Sequence, residues 1–167
     1  MTLRLWNGRV VDPFEIEQYW FTPDEFAHPL ACINRYAGHL KAPVSVAEHS
    51  VLLSEVVPPH LRRTALLHDC SEALVQDLPS NIKARLPDYV AMEERIQRHL
   101  FGLWCMPWEH MEELHPYDRR FCQDEGMQGY LEPADFGMVS LGVTIQFWDW
   151  RTAREQMLIA LNEEGML

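Results

Sequence analysis

Lysine is nearly missing from this 167-residue chain. Of its 14 basic residues, Lys41 and Lys83 are the two lysines, so a lysine inside a motif is hard to dismiss as surface decoration. Basic charge as a whole is scarce beside 25 acidic residues, leaving a formal net charge of −11. Such a surface repels phosphate backbones and anionic lipids, which argues against extended nucleic acid and membranes as partners. No run comes near the roughly 20 apolar residues that a membrane span needs. The stretch from Met1 to Gly8 lacks the apolar run of a signal peptide, which predicts a soluble, cytoplasmic protein. Cys32, Cys70, Cys105 and Cys122 contain no C-x-x-C pair, excluding zinc knuckles and thioredoxin-like motifs; the expectation is four buried free thiols. Repeats, low-complexity tracts and linkers are absent too, so residues 1–167 are read as a single domain. With 47% hydrophobic and 23% charged residues, the chain has ordinary globular composition and needs no disulfides to close its core.

The local signals are helical. Leu3 to Val11 reads as a small hairpin around Asn7-Gly8, with a type I′ turn expected. Thr22-Pro23-Asp24-Glu25 opens a helix toward Tyr36, with Pro29 inside it as a kink or a delayed start. Ser45-Val46-Ala47-Glu48 is a capping box for a helix running through His49 to about Val57, ended by Pro58-Pro59. A third helix carries Leu61 through about Val75, and Asp77-Leu78-Pro79-Ser80 breaks the pattern. Further helices cover about Asp88–Leu103, Trp108–Gln128 with an interruption near Pro116, and Trp150–Asn162. No alternating segment beyond the hairpin is long enough to build a sheet. The predicted fold class is all-α, six or seven helices with a small N-terminal β-hairpin.

His68-Asp69 is a candidate metal-ligand pair, and its context raises its weight. Asp69 to Glu72 is i to i+3 and His68 to Glu72 is i to i+4, so on one helix the three share a face. Leu66 and Leu67 precede them, and burying an imidazole and two carboxylates there is costly without a cation or partner. His49, at the start of another helix, can meet the pair across a helix–helix contact. A later carboxylate would complete two nitrogens and two oxygens, a set that suits a first-row divalent ion with open positions. The competing reading is a pair of hydrogen-bonded core histidines.

Asn34-Arg35-Tyr36, Val46-Ala47-Glu48-His49-Ser50, Leu67-His68-Asp69-Cys70-Ser71-Glu72-Ala73, Asp77-Leu78-Pro79 and Lys83 occur in that order. The series resembles the HD-domain phosphohydrolases, in particular their 5′-deoxynucleotidase-like branch. Ala27, Gly38-His39 and the closing Trp150-Arg151-Thr152-Ala153-Arg154 extend the similarity, which is strongest over residues 25–85 and weakest over 105–147. The string as a whole is specific; any one piece is not. The resemblance implies an HD-domain helical bundle, with metal ligands His49, His68, Asp69 and an Asp from a later helix. Asp118, followed seven residues on by Glu125, fits the fourth position, with Asp124 and Asp135 as alternatives. It also implies Glu72 as a catalytic acid–base group and Lys83 as a catalytic and substrate-binding cation. Arg35 and Tyr36 would approach phosphate and nucleobase or sugar. Relatives often have Trp at the Tyr36 position and Pro at the Asn81 position. Asp77 would bind a sugar hydroxyl or cap its turn, and His39 would anchor the loop before the metal helix.

The implied reaction is metal-dependent hydrolysis at the α-phosphorus of a 2′-deoxynucleotide, releasing deoxynucleoside plus phosphate or triphosphate. The ion, Co²⁺, Mn²⁺, Zn²⁺ or Mg²⁺, would lower the pKa of a bound water and polarise a phosphoryl oxygen. Arg119 and Arg120 are candidate cations for further phosphates. Phage-borne relatives, among them dATP triphosphohydrolases, share the small size and the Tyr36-to-His39 stretch, which would place the protein in a host cytoplasm. The small-molecule partner is a deoxynucleotide, and the resemblance implies a homo-oligomer, dimer or hexamer. Two alternatives stand beside this reading: an HD enzyme acting on a signalling nucleotide, and a non-catalytic nucleotide-binding module.

Overall fold

A computed structural model describes residues 2–167; Met1 lies outside the described residues. Two short strands, β1 (Leu3–Arg4) and β2 (Val10–Val11), pair antiparallel with Leu3 opposite Val11. Their turn is not the type I′ expected. Gly8 has φ +89° but Asn7 stays at negative φ, and the Gly8 and Leu5 amides bond to the Leu5 and Arg9 carbonyls. This is a tight turn closed by a left-handed glycine, the three-residue loop with a bulge.

The α-helices are α1 (Asp24–Cys32), α2 (Val46–Val56), α3 (Arg62–Leu67), α4 (Glu72–Val75), α5 (Ser80–Lys83), α6 (Pro87–Leu103), α7 (Glu109–Gly129) and α8 (Trp150–Glu163). Among the described residues that makes eight, two of them single turns. Glu25 folds back to the Thr22 amide at 2.9 Å, completing the predicted start of α1. Pro29 stays inside α1, where it cannot donate to the Glu25 carbonyl four residues back. The indole of Trp6, on the hairpin, donates to that carbonyl instead at 3.1 Å. The helix ends at Cys32 rather than Tyr36, because Asn34 bridges to Ser45 and Tyr36 and Ala37 turn left-handed (φ 55° and 51°). Pro116 also stays within an unbroken α7; the residue whose carbonyl it leaves without a helical donor, Glu112, is exposed to water.

The expected single helix from Leu61 to Val75 is two, separated by a turn at residues 68–71. Helices α2, α1 and α8 pack around one core containing Leu30, Leu66, Leu67 and Phe101. A second cluster, with Leu53, Leu61 and Phe121, sits between α2, α3 and α7. Residues 131–149 form no regular element, yet they are held by buried polar side chains. Glu48, fully buried on α2, accepts from the Gln146, Phe147 and Trp148 amides at 2.8–2.9 Å. Asp124 accepts from Ser140 and from the Leu141 amide, and Gln123 accepts from the Phe136 and Met138 amides. Of the cysteines only Cys70 is buried; Cys32 and Cys105 are exposed and Cys122 is intermediate, so the expectation of four buried thiols holds for one.

Candidate metal centre

The site forms where α2, the turn at 68–71 and α7 converge. Ser45 caps α2 by accepting from the Glu48 amide, which places His49 on the first turn, facing inward with no exposure. Asp118, Phe121 and Glu125 lie along one face of α7, at the spacing of successive turns. The His49 ring stacks on Phe121 with centroids 4.9 Å apart.

Nδ1 of His49 meets the fully buried Glu125 carboxylate at 3.0 Å, and Nδ1 of His68 meets the Ala65 carbonyl at 2.8 Å. Both rings therefore turn Nε2 toward the same space. His49 Nε2 lies 3.1 Å from Asp118 Oδ1; His68 Nε2 lies 3.1 Å from Asp69 Oδ2 and 3.9 Å from Asp118 Oδ1. Neither Nε2 makes a hydrogen bond, though both are buried. Two donor atoms about 2.1 Å from a common ion and about 90° apart stand about 3 Å from each other. The ligand atoms of His49, His68 and Asp118 all fall within 4.8 Å of one another. Two buried imidazole nitrogens that each stand 3.1 Å from a carboxylate oxygen without making a hydrogen bond fit a divalent cation. The Glu125–His49 and Ala65–His68 contacts supply the outer hydrogen bonds such ligands need.

Electrostatics follow from this crowding. Burial pushes Asp118 up, but His49 and His68 outweigh it and hold its carboxyl at about 2. Asp69 is likewise raised by burial and lowered further by His68 and Arg35, ending well below the carboxylate range. Burial and Arg35 pull His49 down, while Glu125 and Asp118 overcome both and lift it to about 9. Without an ion, a proton on His49 compensates the carboxylates.

A cleft of about 720 Å³ opens over Asp69 and Asp118. Its walls include Arg35, Tyr36, Glu72, Asp77, Asn81 and Lys83, which gathers the residues expected at the nucleoside and first phosphate; His39 borders it too, exposed and apart from the ligand group. Glu72 is 3% exposed; Lys83 contacts Oε1 at 3.2 Å, while Oε2 has no partner. Burial, reinforced by Asp69 and Asp77, drives its carboxyl well above the usual range. Asp77 is also raised by burial. Two predicted cations are more engaged than expected. Arg35 pairs with Glu125 through Nε and Nη2 at 2.9 and 3.1 Å, and reaches Asp69 at 3.5 Å. Lys83 pairs with Glu93 at 2.8 Å as well as with Glu72.

Of the three candidates for the fourth ligand, Asp118 alone approaches both histidines. Asp124 is spent on the Ser140–Val143 backbone and Asp135 caps Gly137. Arg119 and Arg120 do not border the cleft, and Arg120 is tied to the Val139 and Ser140 carbonyls. Sequence reasoning missed Glu93, Gln97 and the aromatic pair Tyr130 and Phe136. Tyr130 meets the Tyr36 ring edge-on at 5.9 Å and Phe136 lies nearly parallel to it at 6.4 Å. Gly126 permits that wall, since a Cβ there would stand 2.6 Å from the Ala134 carbonyl and the Phe136 ring.

No family model matches the chain. It is 46% identical over 83 residues to the uncharacterized protein YfdR of Escherichia coli K12, covering 48% of this chain and 47% of that protein. It is 32% identical over 113 residues to the uncharacterized protein RCAP_rcc00048 of Rhodobacter capsulatus, covering 60% and 58%. The chain spans about half the length of these curated relatives, and neither name carries an activity. Among the described residues, no helix is long and apolar enough to cross a membrane.

Proposed function

We propose that this chain is an HD-type, metal-dependent phosphohydrolase that attacks the α-phosphorus of 2′-deoxynucleotides. The observation that carries the reading is the convergence of His49 Nε2, His68 Nε2 and Asp118 Oδ1, with both nitrogens buried and unpartnered. His49, His68 and Asp118, whose ligand atoms converge, would hold the ion together with Asp69, which of the two histidines meets His68 alone; the ion would be Co²⁺, Mn²⁺, Zn²⁺ or Mg²⁺. When bound, it supplies Lewis acidity that activates water and polarises a phosphoryl oxygen.

The remaining work falls to the chain's own groups. Glu72 borders the cleft with a free Oε2 and a raised affinity for protons, properties that suit a group accepting and returning one. Lys83, kept protonated by Glu72 and Glu93 against the pull of burial, offers fixed positive charge to the phosphoryl group. Arg35 is a planar donor on the same wall, fixed by Glu125 before substrate arrives. The aromatic wall of Tyr36, Tyr130 and Phe136 supports stacking of a nucleobase at the nucleoside end. In this reading the substrate is a small deoxynucleotide, and the reading extends to a cytoplasmic homo-oligomer, dimer or hexamer. A phage-type dATP triphosphohydrolase is its narrowest form.

A nucleotide panel tests it, run with each divalent ion in ¹⁸O-labelled water. A dNTP should yield deoxynucleoside and intact triphosphate, a dNMP deoxynucleoside and phosphate, with the label in the inorganic product. A dNDP or dNMP as first product from a dNTP would place attack at another phosphorus and refute the pose. Turnover confined to cyclic or signalling nucleotides, or none with any ion, would favour one of the two alternatives.

A further inference from the structure

Three polar side chains spaced four apart on α6, Tyr89, Glu93 and Gln97, form a stripe along the back of the site. Each braces a different part of it. Tyr89 donates its hydroxyl to the Gln76 carbonyl, where the chain leaves α4 at φ 75°. Glu93 accepts from Lys83 at 2.8 Å. Gln97, 3% exposed, donates to the Leu67 carbonyl at 2.7 Å and accepts from the Ser71 amide at 2.9 Å.

The Gln97 pair has a specific meaning. In an unbroken helix the Ser71 amide would donate to the Leu67 carbonyl, four residues back. Here the Leu67 carbonyl accepts from the Cys70 amide and from the Gln97 NH₂, while the Ser71 amide donates to the Gln97 oxygen, so one side chain bridges the two groups. Around the gap the chain tightens: the Cys70, Glu72, Ala73 and Leu74 amides bond three residues back. His68 and Asp69 lie inside the gap. In this turn His68 Nε2 and Asp69 Oδ2 stand 3.1 Å apart. We infer that Gln97 is a positioning residue for the metal centre, holding open the turn that aims His68 and Asp69 at a common ion. The inference rests on the metal-dependent reading of the site.

The test is calorimetric titration of Mn²⁺ and Co²⁺ into the wild type, Gln97→Met and Leu100→Val. Methionine keeps the volume of Gln97 but can bridge neither backbone group. Leu100→Val removes core volume one turn along the same helix and keeps both Gln97 backbone bonds, so it reports loss of core stability. The expected result is metal affinity about 10- to 100-fold weaker in Gln97→Met, the usual scale for an outer-shell hydrogen bond. Leu100→Val should keep wild-type affinity even where its melting temperature falls as far. Equal affinity in the wild type and Gln97→Met, or equal weakening in both variants, overturns the positioning role and leaves the metal reading standing. Absence of binding by the wild type overturns both. If Gln97→Met does not fold, Gln97→Glu, which retains the acceptor for Ser71, is titrated in its place with the same criteria.

Discussion

Replacing Glu125 by Gln is the most informative single change, because it preserves volume and removes one buried charge. The carboxylate is fully buried and is met by His49 Nδ1, by Arg35 Nε and Nη2, and by the Tyr36 hydroxyl at 2.8 Å. All of these can act as donors, and an amide turns an NH₂ toward at least one of them. Arg35, whose side chain is 11% exposed, would keep its charge and lose its main counter-ion. Breaking a buried pair in this way costs about 3–5 kcal/mol. A second route gives a similar size. Burial raises this carboxyl, but Arg35 and His49 prevail and hold it at about 2 against an ordinary 4.5, a preference worth about 3 kcal/mol for the ionised form. For a chain of this length that corresponds to a fall of about 6–20 °C in melting temperature, read by calorimetry at neutral pH. The sign with pH is fixed by the depressed value: the stabilisation is complete above pH 4.5 and is lost as pH falls toward 2. Glu125→Gln should therefore show a flatter acid limb than the wild type. A melting temperature within about 2 °C of wild type, under about 1 kcal/mol, would refute the reasoning.

Glu48→Ala removes the shared acceptor of the three part-buried amides of residues 146–148, at about 1 kcal/mol for each bond lost; chemical denaturation and limited proteolysis should both report a loosened 131–149 segment. Glu72→Ala should keep metal and nucleotide binding while turnover falls about 100-fold or more, so unchanged kcat with weakened metal binding would make Glu72 a ligand instead. Glu93→Gln should leave metal affinity as it is and raise KM by freeing Lys83 from its second carboxylate; steady-state kinetics with the preferred nucleotide decide it. Trp6→Phe should cost about 1 kcal/mol and less in a Pro29→Ala background, where the Glu25 carbonyl recovers a helical donor; equal costs in both would remove Trp6 from that role.

What sequence makes legible here is what local rules decide. Ser45 caps α2 because the bond it makes is three residues away, and Asn7-Gly8 marks a turn because glycine accepts positive φ. The reciprocal half of the Ser45 box fails for a tertiary reason. Glu48 bonds amides about 100 residues further on, a partner that no local pattern encodes. Helical periodicity runs on through His68 and Asp69, since residues 61–75 read as one amphipathic stretch. The break is bridged by Gln97, 26 residues beyond Ser71. The later acidic residues are alike in composition, and only the three-dimensional course of 131–149 assigns Asp124 to the loop and leaves Asp118 facing the histidines. A spacing of four along α6 was available as a signal for Tyr89, Glu93 and Gln97, but in an amphipathic helix a polar stripe ordinarily faces water.

The central claim, that His49, His68, Asp69 and Asp118 hold a divalent ion, is tested most directly by metal stoichiometry of the purified protein. Wild type and Asp118→Asn are stripped of metal, then reloaded with Mn²⁺ or Co²⁺ and analysed by elemental spectrometry beside circular dichroism. The account predicts one tightly held ion per wild-type chain and loss of that ion in Asp118→Asn with the helical spectrum intact. A wild-type chain that takes up no ion, or an Asp118→Asn chain that holds it equally well, would contradict it.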